Sequence, residues 1–238
     1  MQEQCNSLLT QDRIMEAFDI PVTHRMVLIL SNSRRLHADL LLPAEARGLV
    51  IFVHPQRGGR MSPRIQRLAR SLQDRRFAAL LVDLLEESEM DDRSTPFNIA
   101  VLAMRLQSAI EWVRADADTS TLPVGYFGAG TGTAAAMSAT AGSREKICPL
   151  VSIEGRPDLA WTDLPKVVGP ALLLVGAEDE ALLELNRRAF EKMTCLRELL
   201  LIQGEAGTHS LLGASEEAAK LMTSWFEKYL SPTLNLSQ

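Results

Sequence analysis

The stretch that most constrains this chain runs from Leu122 to Ala139, LPVGYFGAGTGTAAAMSA. An apolar run, Val124-Gly125-Tyr126-Phe127, feeds straight into Gly128-Ala129-Gly130-Thr131-Gly132, and an alanine-rich segment follows at once. Alanine favours helix, so a strand must turn into a helix within a few residues. Glycine permits such a turn because it tolerates positive φ and lets a helix pack close to a sheet. Two chemistries share this layout. One, G-x-S-x-G, presents a nucleophile at the top of an α/β sheet. The other is a glycine-rich loop that cradles phosphate at a helix N-terminus. The five residues here read G-A-G-T-G, so on the first reading the nucleophile position is Gly130, which carries no side chain.

The flanking pattern supplies the sheet. Val22–Leu30 and Arg35–Leu42 read as an antiparallel edge hairpin around Ser31-Asn32-Ser33. Gly48–His54 and Phe77–Leu85 are continuous apolar runs, as in strands buried on both faces of a parallel sheet. Further strands read at Ile147–Glu154, Pro170–Val175 and Glu198–Ile202. Between them lie helices opening near Ser62-Pro63, over Asn98–Arg114 with Leu102, Leu106, Ile110 and Val113 on one face, over Ala181–Met193 and over Ser215–Leu230. Strands alternating with helices predict an α/β fold, a mainly parallel central sheet of about eight strands with helices on both faces. Residues 1–21 read as a polar lead-in and 22–238 as a single α/β domain.

Composition narrows the function classes. A net charge of −5, with charge dispersed and arginines in isolated pairs, argues against nucleic acid as a partner. No apolar run reaches the roughly 20 residues that span a bilayer, and the opening residues are too polar for a signal peptide. Cys5, Cys148 and Cys195 fit no zinc or redox spacing, so the expectation is a cytoplasmic protein with reduced thiols, no metal and no cofactor. His24 and His37 read as solvent-facing strand histidines without partners, and the acidic run Glu86–Asp92 as a solvated loop or a lid. Met61, Met90 and Met104 suggest nothing beyond gap filling.

In such sheets the working groups sit at the carboxyl ends of the strands. Four loops meet that description: His54–Arg60, Gly128–Gly132, Gly176–Glu180 and Gly204–Ser210. Their order, a strand-to-helix corner, then Asp179, then His209, is the nucleophile–acid–histidine order of α/β-hydrolases. The segments GLVIFVH, LPVGYFGAGTG, GRPDLA, LLLVGAED and GTH together resemble α/β-hydrolases of the dienelactone-hydrolase-like type, from about residue 22 onward. The resemblance implies an ester- or lactone-type hydrolase acting on a small-molecule ligand. It assigns His209 as general base, Asp179 as the acid that orients it, and Gly130 as the position normally held by serine. Oxyanion donors would be the backbone N–H groups of Thr131 and of Gln56, because Pro55 in the usual donor position has none. His54, Arg57, Glu154, Arg156 and Trp161 are candidate pocket-lining residues, with a local Arg156–Asp158 surface pairing as the alternative for that segment.

With glycine at 130 an acyl-transfer triad lacks the hydroxyl that attacks the carbonyl. Three explanations stay open: a natural binder that has lost turnover, a nucleophile removed by design, or direct activation of water by His209. A reading from another class also stays open. Gly130-Thr131-Gly132-x-x-Ala135, with Glu154 some 20-odd residues on, fits the G-x-G-x-x-A fingerprint of nucleotide binders. Against it, the motif falls late in the strand order and leaves the acid and histidine loops idle.

Overall fold

A computed structural model describes residues 20–54, 59–89, 91, 92, 94–141, 148–203 and 216–230, with His54 described by its backbone alone. Eight strands form one sheet: β1 (Val22–Ser31), β2 (Arg34–Pro43), β3 (Gly48–His54), β4 (Phe77–Asp83), β5 (Val124–Gly130), β6 (Leu150–Gly155), β7 (Ala171–Gly176) and β8 (Arg197–Ile202). Their spatial order is β1-β2-β4-β3-β5-β6-β7-β8. Strand β2 runs antiparallel to β1 and to β4, and every other pairing is parallel. The fold class read from the sequence is therefore the one observed. The hairpin turns through Asn32 at φ 52, a conformation that asparagine tolerates better than most residues.

Among the described residues, five α-helices cover the sheet: α1 (Pro63–Gln73), α2 (Ile99–Ala115), α3 (Thr131–Ala141), α4 (Glu180–Lys192) and α5 (Glu216–Tyr229). Their apolar stripes divide the core in two. Leu102, Leu106 and Ile110 of α2, the alanines of α3 and Ala189 of α4 pack with one face of the sheet. Ile65, Leu68 and Leu72 of α1, with Ala218, Met222 and Phe226 of α5, pack with the other. Helix α2 is capped by Asn98, whose side chain accepts from the N–H of Val101, so its start follows the sequence.

The chain leaves β3 for β4 on one side and returns to β5 on the other. That reversal opens a crevice at the carboxyl ends of β3 and β5, where ligands bind in open α/β sheets. Helix α3 rises from this point with Thr131 to Ala136 all buried, a run of small residues that lets the helix sit close to the sheet.

Several surface expectations are corrected. His24 does have a partner, because its Nε2 lies 3.1 Å from Oδ1 of the buried Asp39 across the hairpin. The acidic run is docked rather than freely solvated: Glu86 accepts from Arg34 at 2.7 Å, and Glu89 makes two 2.7 Å bonds with the buried Arg105. The backbone N–H of Arg35, and after it the Arg34 guanidinium, holds the Glu86 carboxyl below the usual glutamate value, and the Arg105 guanidinium does the same for Glu89. Met61 and Met104 are exposed and fill no gap, while Met90 lies outside the described residues. Strand β4 ends at Asp83 rather than Leu85, and β6 begins at Leu150, after Pro149, which has no N–H to give a ladder.

Candidate functional site

The corner between β5 and α3 is built from two glycines with different reasons to be glycine. At Gly128 an added Cβ would lie 2.6 Å from Thr133 Cα and 2.8 Å from Thr133 N, so the helix folds back too closely for any side chain. At Gly130 the space is open, with no atom of the described residues within 4 Å of an added Cβ. What Gly130 needs instead is its backbone, held at φ +52 in the left-handed region. A side chain there would fit sterically but bear a strain of about 1–2 kcal/mol. Thr131 begins α3, so its N–H is one of the four that an α-helix leaves without an intrahelical acceptor, at the positive end of the helix dipole. Such a donor beside a corner residue suits a developing oxyanion.

Strand β6 lies alongside, and its register slips at the corner. Ala129 pairs with Ile153, Gly130 pairs with Gly155, and Glu154 is the extra residue between them. Glu154 adopts φ 49, a left-handed conformation in a residue with a full side chain. Arg156 N–H donates to the carbonyl of Gly130 at 2.9 Å, closing the turn. The Arg156 guanidinium is committed to Asp158 through two 2.8 Å bonds, which raise its pKa further. Of the two readings for this segment, the local ion pair is therefore present. Trp161 follows the short Pro157–Ala160 turn, is 45% exposed, and lies under the Lys192 ammonium at 5.2 Å.

Residues that the motif reading missed hold this bulge from the inside. Thr133 Oγ1 and Ser152 Oγ share a 3.0 Å hydrogen bond, and a Cβ at Gly155 would collide with both hydroxyls. Asn186, fully buried on α4, donates to the carbonyls of Gly155 at 3.1 Å and Leu182 at 2.9 Å. A signal existed in the sequence. Asn186 sits between Leu183 and Ala189 at helical spacing, a lone amide in an apolar stripe.

Asp179 follows β7, two strands from the corner. It is exposed and caps α4, its Oδ1 accepting from Leu182 N–H at 2.9 Å. On the opposite side of the crevice, His54 ends β3 in register with Asp83 of β4. Arg60, just beyond the 55–58 segment, has its guanidinium held between two carboxylates. Its Nη1 donates to Asp39 at 2.5 Å and its Nε to Asp83 at 2.9 Å. Burial pushes the Asp83 carboxyl up, and the Arg60 contacts pull the other way. Gln56, Arg57 and His209 lie outside the described residues. The structure thus brings Gly130, Thr131, Glu154 and Arg156 together, and places Asp179 and His54 at the same edge of the sheet.

No protein-family model matches the chain. Among solved structures, a dienelactone hydrolase from Anabaena variabilis is 36% identical with a TM-score of 0.80, over 88% of this chain and 99% of that one. A cold-adapted esterase from an Arctic intertidal metagenomic library (20% identical, TM-score 0.70) covers 88% of this chain and 95% of its own. A dienelactone hydrolase-like promiscuous phosphotriesterase from metagenomic libraries (19%, TM-score 0.69) covers 88% and 99%. These two share the fold. Proteins of two Mycobacterium tuberculosis strains, whose names suggest a phosphoribosyl transferase, are 38% identical over 214 residues. That match takes in 90% of this chain, which spans about half, 48%, of their length. Among the described residues, no helix is long and apolar enough to cross a membrane.

Proposed function

Because the chain belongs to the dienelactone-hydrolase family of α/β-hydrolases, we propose that it is an ester- or lactone-binding hydrolase scaffold without its covalent step. The observation that carries this reading is Gly130. It occupies the strand-to-helix corner in the left-handed conformation, with room for the side chain it does not have. A serine hydrolase needs a hydroxyl there to form the acyl-enzyme. Without it the chain is inactive or strongly impaired as a serine hydrolase. With a serine at 130, His209 would act as its base and Asp179 would orient the imidazole, and the N–H groups of Thr131 and Gln56 receive the oxyanion. His54, Arg57, Glu154, Arg156 and Trp161 line the ligand cleft. The reading requires no metal or cofactor, and the ligand is a small ester or lactone.

Gly130→Ser tests it, assayed with short p-nitrophenyl esters and a fluorophosphonate probe. Labelling at residue 130 together with turnover is the expected result. A serine that stays unlabelled sinks the reading and favours a second one, a non-catalytic ligand- or partner-binding protein on the same frame. The observation favouring that second reading is Asp179, which is exposed and already committed to capping α4.

A phosphate- or nucleotide-binding role through Gly130-Thr131-Gly132, or the phosphoribosyl transfer suggested by the relatives' names, is disfavoured by charge. Among the described residues at this edge stand Glu154, Glu178 and Asp179, and Arg156 is already paired. A polyanion would meet net negative charge. Calorimetric titration with NAD, ATP or phosphoribosyl pyrophosphate is expected to show no binding.

A further inference from the structure

The costliest backbone near the corner belongs to a residue that the hydrolase motif does not require. Glu154 is a non-glycine residue at φ 49, and it is the extra residue of a bulge in the strand beside Gly130. Such conformations persist only where surrounding contacts over-determine them, and they cluster at functional sites. The surroundings here do over-determine it. Gly155 fits against Ser152 and Thr133, Asn186 holds the Gly155 carbonyl, and Arg156 N–H holds the Gly130 carbonyl. Bulges re-aim side chains next to active sites.

The direction of the re-aiming follows from strand parity. In a regular strand residues 152 and 154 share a face. Here a Cβ at 155 would meet the Ser152 hydroxyl, so 152 and 155 share the face that packs on α3. The bulge has turned Glu154 off that face, and its side chain is half-buried at the carboxyl edge of the sheet.

We infer that Glu154 is a catalytic carboxylate that activates water at the open corner over Gly130, in place of the missing serine. This deepens the hydrolase-scaffold reading and rests on it. The Glu154 carboxylate takes a proton from water, and the water oxygen bonds to the acyl carbon as the carbonyl pair moves onto oxygen. The resulting oxyanion is met by Thr131 N–H. Collapse re-forms the carbonyl and breaks the bond to the alcohol oxygen, which takes back the proton from Glu154. Ester and water become acid and alcohol, with no acyl-enzyme.

The test measures hydrolysis of p-nitrophenyl acetate by the unmodified chain against buffer, beside Glu154→Gln, Glu154→Gly and His209→Asn. General-base catalysis contributes about 10²–10⁴-fold, so both Glu154 variants are expected to lose about 100-fold. Added formate should restore part of the rate in Glu154→Gly, where space is made, and not in Glu154→Gln. Glycine also relieves the backbone, so Glu154→Gly should melt about 2–4 °C higher while turning over less. A merely structural role would not move stability and rate in opposite directions. If the rate survives Glu154→Gln but falls in His209→Asn, the base is the imidazole and the inference is overturned. If the unmodified chain shows no turnover while Gly130→Ser is labelled by the fluorophosphonate, the scaffold reading stands and Glu154 as base is overturned. If Gly130→Ser is unlabelled and the unmodified chain is idle, both fall.

Discussion

Two strand-to-helix turns at the same edge of the sheet have opposite characters. The turn from β5 into α3 is enclosed: Gly128 touches Thr133, Gly155 touches Ser152, and Thr131 to Met137 are buried. The turn from β7 into α4 is open to water, and its Asp179 is fixed mainly by capping its own helix. The first is determined by space, so its sequence requirement is strict. The second is determined by a local hydrogen bond that Ser, Asn or Asp makes almost equally well. A carboxylate at a helix start is therefore weak evidence of catalysis, whereas a glycine pressed against a backbone is strong evidence of a fixed corner.

The largest expected effect separates the two jobs of Asp179. In a Gly130→Ser background, Asp179→Asn keeps the cap and the shape but leaves the histidine in the wrong tautomer. If Asp179 orients His209, esterase turnover should fall by about 10⁴-fold with an unchanged melting temperature. A small drop would mean that this aspartate is only a cap. Next, Gly128→Val should cost about 3 kcal/mol in urea unfolding, because the helix cannot retreat from the strand. Gly130→Ala should cost only about 1 kcal/mol, from backbone conformation alone, since the space is open. Equal costs at 128 and 130 would erase the distinction drawn here between room and conformation. Smallest of all, Asp179→Ala should lose about 1 kcal/mol as a missing cap, and Asp179→Ser only a few tenths, by the same unfolding measurement.

Much of the frame was legible from the chain. Apolar runs bounded by turn residues marked all eight strands, and Gly128 announced the tight corner because nothing else fits against Thr133. The rest depended on contacts between distant residues. Asp39 reaches His24 and Arg60 across the hairpin and the sheet, which no periodicity encodes. Glu86 and Glu89 looked solvated because their arginines lie 16 or more positions away. Glu154 reads as a pocket-lining candidate and as the acid of a nucleotide fingerprint, from its charge and its place on the strand after the corner. Its left-handed backbone arises from a register slip against β5, a property of the pair of strands and of neither sequence alone.

Helix α3 has one last implication. It is wedged among its neighbours by alanines and threonines, so its axis is dictated by the whole interior rather than by any group at its tip. A substitution at the tip therefore changes the group offered there without resetting the helix. Corner geometry and corner chemistry can vary independently in a chain built this way, so one frame can carry different groups at the same point in space.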